Sequence, residues 1–243
     1  MASAKDIIVK PIKSAAANAL VKRIHYSGKV VKNSQLHFGA FLNGRLEGAM
    51  SFGPPINKKG TIVIVADTKW SGMLELNRMA FSDRLPRNSE SRCMAVAFRL
   101  IKKHYPHIEW IVSFSDGTQC GDGTIYRAAG FVLTDIRESD DLRRNPETGE
   151  VMHTIQAHHL MITKEFRTWE ATKGYQLRYI YFLNPEAKKR LTVPVLPFSK
   201  IDEMGAGMYK GRPKRDKQAM ATTSGTAEGQ HLPSRSIFSG DIC

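Results

Sequence analysis

The stretch WIVSFSDGTQCGDGTIYRAAGF, from Trp110 to Phe131, carries the densest group of residues that could do chemistry. Its apolar run ends at Ser115, and the loop that follows contains Asp116, Cys120 and three glycines. Glycine lets a bound group approach the backbone closely, and a carboxylate can orient or deprotonate an amine. Such a loop suits a phosphate, a metal ion or a substrate lying against bare backbone, and its own sequence leaves the three open.

Asp116 is the leading catalytic candidate because it directly follows a predicted strand. In α/β folds, ligands bind at the carboxyl ends of strands, where a carboxylate could act as a base or bind a metal ion. The alternative is a turn residue that caps the backbone at Gly117. We assign Asp116 to catalysis, and Ser115 and Gly117 to substrate or cofactor binding. Cys120 is either a thiol nucleophile or a small residue that a tight loop requires.

His25 and Tyr26 follow an alanine-rich helical segment, SAAANALVKRI. A histidine can shuttle a proton, and a tyrosine can stack on a base or act as a phenolate, so we assign both to catalysis. The alternative is a histidine at the helix end beside a packed tyrosine. With Asp116, the two could also hold a non-haem Fe2+ ion, with Tyr26 and Asp116 as oxygen ligands. No His-x-x-Glu or Cys-x-x-Cys spacing marks such a metal site.

Arg78 lies in the predicted strand MLELNRMAF, which should be half buried. A buried arginine needs a partner, which is either Glu75 or Asp116 within the chain or a bound substrate or donor. We assign Arg78 and its neighbour Asn77 to substrate or cofactor binding.

The elements around these residues follow an α/β pattern. A first helix ends near His25, and the strands LHFGAF and LEGAMSF follow, joined by a hairpin turn at Asn43-Gly44. After a loop come the strands TIVIVA and MLELNRMAF, which complete an antiparallel half-sheet. The strands EWIVSF, FVLTDIR, HTIQAHHLMI and YQLRYIYFL continue the sheet, with PETGE as a hairpin turn. On a strand, His158 and His159 would point to opposite faces and make poor joint ligands.

The segment NSESRCMAVAFRLIKKHY predicts the clearest helix, because Met94, Ala97, Phe98 and Ile101 recur at helical spacing. Asn88 and Ser89 are candidates for the residue that caps its start. A helix start offers free amides and a positive dipole end to a phosphate or carboxylate. We therefore expect the residues around this start to bind a substrate or cofactor, namely Arg87, Asn88, Ser91 and Arg92.

The composition favours a polyanionic partner. The 243 residues contain 36 Lys and Arg against 23 Asp and Glu, a net charge of +13. No apolar run approaches the roughly 18 to 20 residues that cross a bilayer, and no signal peptide is evident, so we expect a cytoplasmic protein. Three scattered cysteines build neither a disulfide framework nor a zinc cage. The oligomeric state stays open, with a homodimer among the possibilities.

The chain divides into a catalytic domain, residues 1–203, and a flexible basic tail, residues 204–243, where apolar content drops. The tail segment YKGRPKRDK resembles an AT-hook, in which an extended Arg-Pro core lies in the minor groove of A·T-rich DNA. The alternative is a solvated basic linker. If the tail binds DNA, the residues involved are Lys210, Arg212, Lys214 and Arg215.

The order of elements resembles that of GNAT-type acyltransferases: a strand, a long helix, a strand, a loop, a short helix closed by YRAAGF, and a hairpin. This resemblance implies a GNAT-like mixed sheet flanked by helices and an acyl donor, with acetyl-CoA as a candidate. It also implies that Tyr126 could protonate a departing thiolate, the alternative being packing on a helix face. Where GNAT enzymes carry a glycine-containing pyrophosphate loop before the long helix, this chain reads RLPRNSESR.

Three motifs resemble the phage Mom family of DNA adenine-modifying proteins: HYSGKVVKNSQLHFGAF, LELNRMAFSDRLPRNSESR and IVSFSDGTQCGDGTIYRAAGF. The resemblance runs from about Ile24 to about Leu196. It implies an enzyme that places a carbamoylmethyl-type group on the N6 amine of adenine in double-stranded DNA. Such an enzyme would act in the host cytoplasm and mask phage DNA from restriction. The alternatives are a generic N-acyltransferase acting on a small molecule or protein, and a DNA-binding accessory protein without activity.

Overall fold

One mixed sheet of eight strands organises the protein. The computed structural model describes residues 2–118 and 121–207. The strands are β1 (Ile8–Pro11), β2 (Leu36–Leu42), β3 (Arg45–Gly53), β4 (Met73–Phe81), β5 (Trp110–Asp116), β6 (Val132–Arg144), β7 (Val151–His153) and β8 (Glu170–Phe182). Their order across the sheet is β1-β2-β3-β4-β5-β8-β6-β7, in which β4 and β5 are parallel and the other neighbours antiparallel.

Seven helices of the described residues accompany the sheet. They are α1 (Ser14–Ile24), α2 (Lys58–Ile62), α3 (Ser89–His104), α4 (Thr124–Ala128), α5 (Thr154–His159), α6 (Thr163–Phe166) and α7 (Ser199–Glu203). Short 3-10 helices lie at Ala4–Asp6 and Pro185–Arg190. None of the described helices is both long and apolar enough to cross a bilayer.

The two longest helices cover opposite faces of the sheet. Ala49 of β3 packs with Ala17 and Leu20 of α1, whereas the next residue, Met50, belongs to the main core with Met94 of α3. Successive residues of a strand point to opposite faces. The predicted α/β class, a mixed sheet flanked by helices, is therefore confirmed, and so is the predicted order of strand, long helix, strand and short helix.

Several local predictions are also confirmed. The β2–β3 hairpin turns at Asn43 and Gly44, both with positive φ (49° and 77°), as a two-residue turn of this kind requires. Asn88 is the N-cap of α3, although its side chain makes no capping hydrogen bond. The turn PETGE joins β6 to β7.

Two predicted strands are wrong. In TIVIVA, Thr61 and Ile62 belong to α2, which the side chain of Asn57 caps by accepting from the Gly60 amide at 3.1 Å. Ile64 and Val65 are buried by packing instead of by a ladder, and Val65 makes only an isolated bridge to Leu191.

The second wrong strand is HTIQAHHLMI, which contains only the last residue of β7. From Thr154 the chain is helical, and Ala157 packs with Phe166 and Trp169. His158 and His159 therefore lie on α5 and not on a strand. A short apolar run is compatible with the period of a helix and with that of a strand, and its tertiary packing decides which of the two forms.

Substitution of Phe98 should test the core on which both central strands rest. Its ring contacts those of Phe52, Phe131 and Tyr181. Phe98→Ala should lower the free energy of unfolding by about 3–5 kcal/mol, because the cavity it leaves is only partly refilled. Denaturant unfolding measures the loss. The control is Arg99→Ala on the exposed side of the same helix, and a similar loss in both variants would contradict this packing.

Candidate active site between the parted strands

The cavity that collects the predicted residues opens where β4 and β5 part. The two parallel strands pair only from Met73 with Trp110 to Glu75 with Val112. Beyond that point, β4 stays with β3 and β5 stays with β8, so a gap forms between them. A cavity of about 340 Å³ fills the gap, within the range of roughly 300–1,000 Å³ usual for ligand pockets. Its lining comprises His25, Tyr26, Leu76, Asn77, Arg78, Met79, Phe114, Ser115, Gly121, Asp122, Gly123, Thr124, Ile125, Tyr126 and Gly207.

A second, wider cavity of about 670 Å³ adjoins the first. Tyr26, Asn77, Arg78, Phe114 and Ser115 line both cavities. The wider cavity adds polar and charged residues, which are Asn57, Thr61, Glu75, Asp116, Asp135, Arg137, Ser139, His153, Tyr175, Gln176 and Arg178. The gap between β4 and β5 therefore gives the two cavities a common wall.

His25 is held as a neutral imidazole at the wall of the first cavity. The Ser27 amide donates to Nδ1 at 3.2 Å, which places the proton of the neutral ring on Nε2. Burial, and to a lesser extent the nearby Arg78 guanidinium, lower the pKa of His25 to about 4. The ring of Tyr26 stacks on that of His25 with centroids 4.5 Å apart, and Tyr26 remains 50% exposed.

Arg78 is fixed by backbone carbonyls. Its Nε donates to the Lys29 carbonyl at 2.9 Å and its Nη1 donates to the Asn77 carbonyl at 2.7 Å. The buried Asn77 accepts from the Ser34 hydroxyl at 3.0 Å. These bonds hold a guanidinium charge at the wall that the two cavities share.

Ser115 carries a buried hydroxyl that no hydrogen bond satisfies among the described residues. The residue is only 8% exposed and lines both cavities. Leaving such a group without a partner costs free energy, so its presence at a cavity wall indicates a ligand that supplies one.

Tyr126 reaches the point at which the strands part. Its hydroxyl is 3.0 Å from that of Ser113, which lies 3.5 Å from the Leu76 carbonyl across the gap. The Tyr126 ring stacks on Tyr179 with centroids 4.4 Å apart and an angle of 9°. The phenol is therefore rigidly placed on the cavity wall.

The loop between β5 and α4 approaches this aromatic pair closely. Gly123 has φ 71°, and a Cβ there would collide with the Tyr179 hydroxyl. Asp122 accepts from the Thr124 amide at 3.1 Å and from the Thr124 hydroxyl at 2.6 Å, which fixes the start of α4. Asp116 accepts from the Thr118 amide at 2.8 Å, so the predicted turn role is present, and the carboxylate also lines the wider cavity.

Comparison with known proteins identifies the family. The sequence pattern of the Mom protein family matches residues 6–200. The chain belongs to the Mom protein family. It is 35% identical over 198 residues to the methylcarbamoylase Mom of Escherichia phage Mu, covering 77% of this chain and 80% of that protein. As a relative of a named methylcarbamoylase, the chain is a transferase.

Solved acetyltransferases show a weaker likeness. The polyamine N-acetyltransferase of Drosophila melanogaster has a TM-score of 0.45 and 11% identity over 73% of this chain and 100% of its own. The ribosomal-protein-S18-alanine N-acetyltransferase of Escherichia coli has a TM-score of 0.44 and 9% identity over 73% and 94%. The family assignment rests on the sequence comparisons.

In this Mom family member, the predicted catalytic residues lie around the parted strands. His25, Tyr26 and Tyr126 line the first cavity, and Asp116 lines the second. The predicted binding residues Asn77, Arg78 and Ser115 line both. Gly117 lies beside them, where its amide donates to the Tyr175 carbonyl at 2.7 Å.

The residues predicted at the start of α3 lie apart from both cavities. The Nε of Arg92 donates to the Ala4 carbonyl at 2.8 Å, and the Ser91 hydroxyl donates to the Asn88 carbonyl at 3.3 Å. Glu90 adds a negative charge to the first turn. This helix start fits the pyrophosphate of acetyl-CoA poorly. The binding role of Arg87, Asn88, Ser91 and Arg92 stays a prediction.

The iron hypothesis gains no ligand group from the described residues. No three His, Cys, Asp or Glu side chains of residues 2–118 and 121–207 come together as a metal ion would need. Tyr26 and Asp116, the predicted oxygen ligands, both line the wider cavity, whereas His25 lines only the first. Cys120 and the tail residues Lys210, Arg212, Lys214 and Arg215 lie outside the described residues.

Many lining residues were not predicted as functional, among them Glu75, Asp122 and Gly207. Glu75 lines the wider cavity at the last β4–β5 pair, and burial raises the pKa of its carboxyl against the opposing effects of Asn77 and Arg78. Asp122 could have been found from its spacing to Thr124, since Asp two residues before Thr is a common turn pattern. Gly207 carries no signal, and it lies beyond the predicted domain boundary at 203/204, which stays a prediction.

The pH dependence of stability should report the burial of His25. The pKa of about 4 in the folded chain lies below the ordinary 6.5, so between these values the unfolded chain takes up a proton that the folded chain does not. Stability is therefore complete above about pH 6.5 and falls as the pH drops towards 4. His25→Gln should remove this part of the dependence.

Thermal unfolding at pH 7 and pH 5 measures the difference. Wild type should lose about 4 to 7 °C more than His25→Gln between the two pH values. His37, whose pKa burial also lowers, contributes equally to both proteins. Equal losses would show that the His25 ring is solvated and titrates normally.

Proposed function

We propose that this protein adds a carbamoylmethyl group to the N6 amine of adenine in double-stranded DNA, and so masks phage DNA from restriction in the host cytoplasm. One observation carries the proposal. Residues of the motifs that give the Mom resemblance, LELNRMAF and IVSFSDGTQCGDGTIYRAAGF, form the walls of one cavity at the parted strands. The methylcarbamoylase Mom of Escherichia phage Mu is 35% identical to this chain over 198 residues.

The acceptor must leave the duplex before it can react. Enzymes that act on a base extrude it into a pocket, where it stacks on aromatic rings and forms hydrogen bonds. The half-exposed Tyr26 offers such a ring at the wall common to both cavities. The unsatisfied Ser115 hydroxyl offers a hydrogen bond to a base edge. The net charge of +13 favours the DNA backbone as the wider partner.

The N6 amine is a poor nucleophile because its lone pair is delocalised into the ring. Asp116, at the carboxyl end of β5, supplies a carboxylate that can accept the proton which the amine loses as the new bond forms. Neutral His25 could then relay a proton, since Nδ1 accepts from Ser27 and Nε2 carries the ring proton. The fixed Arg78 charge stabilises negative charge that develops at the shared wall.

The donor determines what bond is made. Acyl transfer would join N6 to a carbonyl carbon, whereas a carbamoylmethyl product joins N6 to a methylene carbon that bears a carboxamide. The donor is therefore an activated form of that two-carbon group, and its leaving group must be protonated or otherwise neutralised. The Tyr126 hydroxyl, held at the parting of the strands, is placed to donate that proton.

Asp116→Asn should abolish modification and leave the fold intact. Asparagine keeps an oxygen that can accept from the Thr118 amide, so the turn survives while the negative charge is lost. Modified deoxyadenosine in plasmid DNA, measured by nucleoside mass spectrometry after expression, should fall by about 10²-fold or more. Unchanged thermal unfolding confirms the fold. Wild-type levels of modified nucleoside would leave Asp116 as a turn residue only.

Tyr126→Phe should test the hydroxyl separately from the ring. Phenylalanine keeps the stack on Tyr179 and loses the bond to Ser113. Modification should fall by about 10²-fold, the usual scale of general acid catalysis. The control is Tyr181→Phe, whose ring packs on Phe98 away from both cavities. Equal activity in the two variants would assign Tyr126 to packing.

Analysis of plasmid DNA from cells that express the wild-type protein also separates the rival functions. A deoxyadenosine whose mass is increased by one carbamoylmethyl group supports the proposal. Unmodified DNA together with tight duplex binding would favour an accessory protein. Unmodified DNA without binding would favour an N-acyltransferase that acts on a small molecule or protein.

A further inference from the structure

Ile56 is the most exposed large apolar side chain described, at 94%. Single exposed apolar residues are ordinary on protein surfaces, so the exposure of Ile56 alone indicates no function. What sets Ile56 apart is that the chain holds it out rigidly, beside the site, among positive charges.

The backbone on both sides of Ile56 is anchored. Before it, the buried Pro55 follows Pro54, whose carbonyl accepts from the Asn33 side chain at 3.0 Å. After it, Asn57 caps α2 with its side chain, and its carbonyl accepts from the Thr61 hydroxyl at 2.8 Å. Two prolines and a capped helix start restrict the backbone between them. The projecting side chain is therefore presented in a defined direction.

Ile56 belongs to the rim of the site. It lines the wider cavity together with Tyr26, Arg78, Ser115 and Asp116. A group that enters this cavity from outside thus passes the Ile56 side chain.

Cations lie close to Ile56 along the sequence. Lys58 and Lys59 follow it within α2, and Lys69 and Trp70 precede β4. The Lys58 ammonium lies 4.5 Å from the centre of the exposed Trp70 ring. An apolar tip flanked by cations suits a duplex, whose base stack is apolar and whose backbone is anionic.

We propose that Ile56 is a wedge that enters the base stack of the DNA and fills the space left by the extruded adenine. This inference rests on the proposed function, because only an enzyme that takes a base out of the duplex needs such a wedge. Apolar side chains that insert between base pairs offset the stacking lost on extrusion. Lys58 and Lys59 hold the flanking phosphates, and the extruded base enters the cavity behind the wedge.

Permanganate reactivity tests the wedge without a donor and without knowledge of the target sequence. Thymines whose adenine partners have been extruded lose stacking and react faster with permanganate. Wild-type protein bound to plasmid DNA should give hyperreactive thymines. Ile56→Ala should reduce their reactivity by about 10-fold, whereas Ile56→Leu, which keeps an apolar tip of similar volume, should retain it.

Met161→Ala is the matched control. Met161 is 91% exposed and lines neither cavity, so its truncation should leave the permanganate pattern unchanged. Duplex affinity and its salt dependence should stay close to wild type in Ile56→Ala, because the lysines remain. An equal loss in both variants would overturn the wedge, since general surface effects would then explain it.

Two further results would overturn the proposal. One is an unchanged permanganate pattern in Ile56→Ala, and the other is a wild-type protein that binds DNA without exposing any thymine. The proposed function is judged separately, by modified deoxyadenosine in the plasmid. Modification in wild type combined with either result keeps the enzyme and removes the wedge.

Discussion

The early end of the β4–β5 ladder is the constraint on which the site depends. Three residue pairs hold the two parallel strands together, and then each strand follows its antiparallel neighbour instead. A ladder continued to the ends of both strands would have closed the cavity. The backbone amides and carbonyls that a longer β4–β5 ladder would pair face the gap, and such groups need hydrogen-bond partners. The gap is thus both a space and a set of hydrogen-bonding groups in the middle of a rigid sheet.

The packing around the gap keeps it from closing. On one side, the stacked rings of Tyr126 and Tyr179 fill the space beside β5, and Gly123 lets the loop approach them. On the other, Arg78 ties β4 to the segment after α1 through the Lys29 carbonyl. Each wall is stabilised by its own contacts, so a ligand need not order the walls when it binds. Walls that are organised before binding lower the entropic cost of holding two reactants in the correct relative position.

Sequence reasoning succeeded where one local signal was enough. The helix α3 was predictable because four apolar residues from Met94 to Ile101 share a face, and the Asn43-Gly44 turn was predictable because few residues accept its backbone angles. The run TIVIVA has the composition of a strand, yet the Asn57 cap and the packing of Val65 decide its structure. Those contacts are tertiary, so they produce no periodic pattern of apolar residues in the sequence.

The site was predictable in its residue types and not in its arrangement. Asp116 and Ser115 were found because polar residues end an apolar strand. Nothing local shows that β4 and β5 part, and so nothing local shows that Glu75 faces a cavity while Arg92 turns to the N-terminal segment. Sequence distance also hides Gly207, which reaches the cavity from the far end of the domain.

The position of Gly207 has a consequence for the residues that follow it. Because Gly207 lines the first cavity, the chain that continues from it is covalently attached at the cavity wall. Any contact that later residues make with a polyanion then belongs to the same molecule as the site, with an effective concentration set by their distance from Gly207 along the sequence. If the same cations lay on a separate peptide, they would contribute only their own affinity for the polyanion. In the same chain as the site, they also determine where along the polyanion the cavity binds.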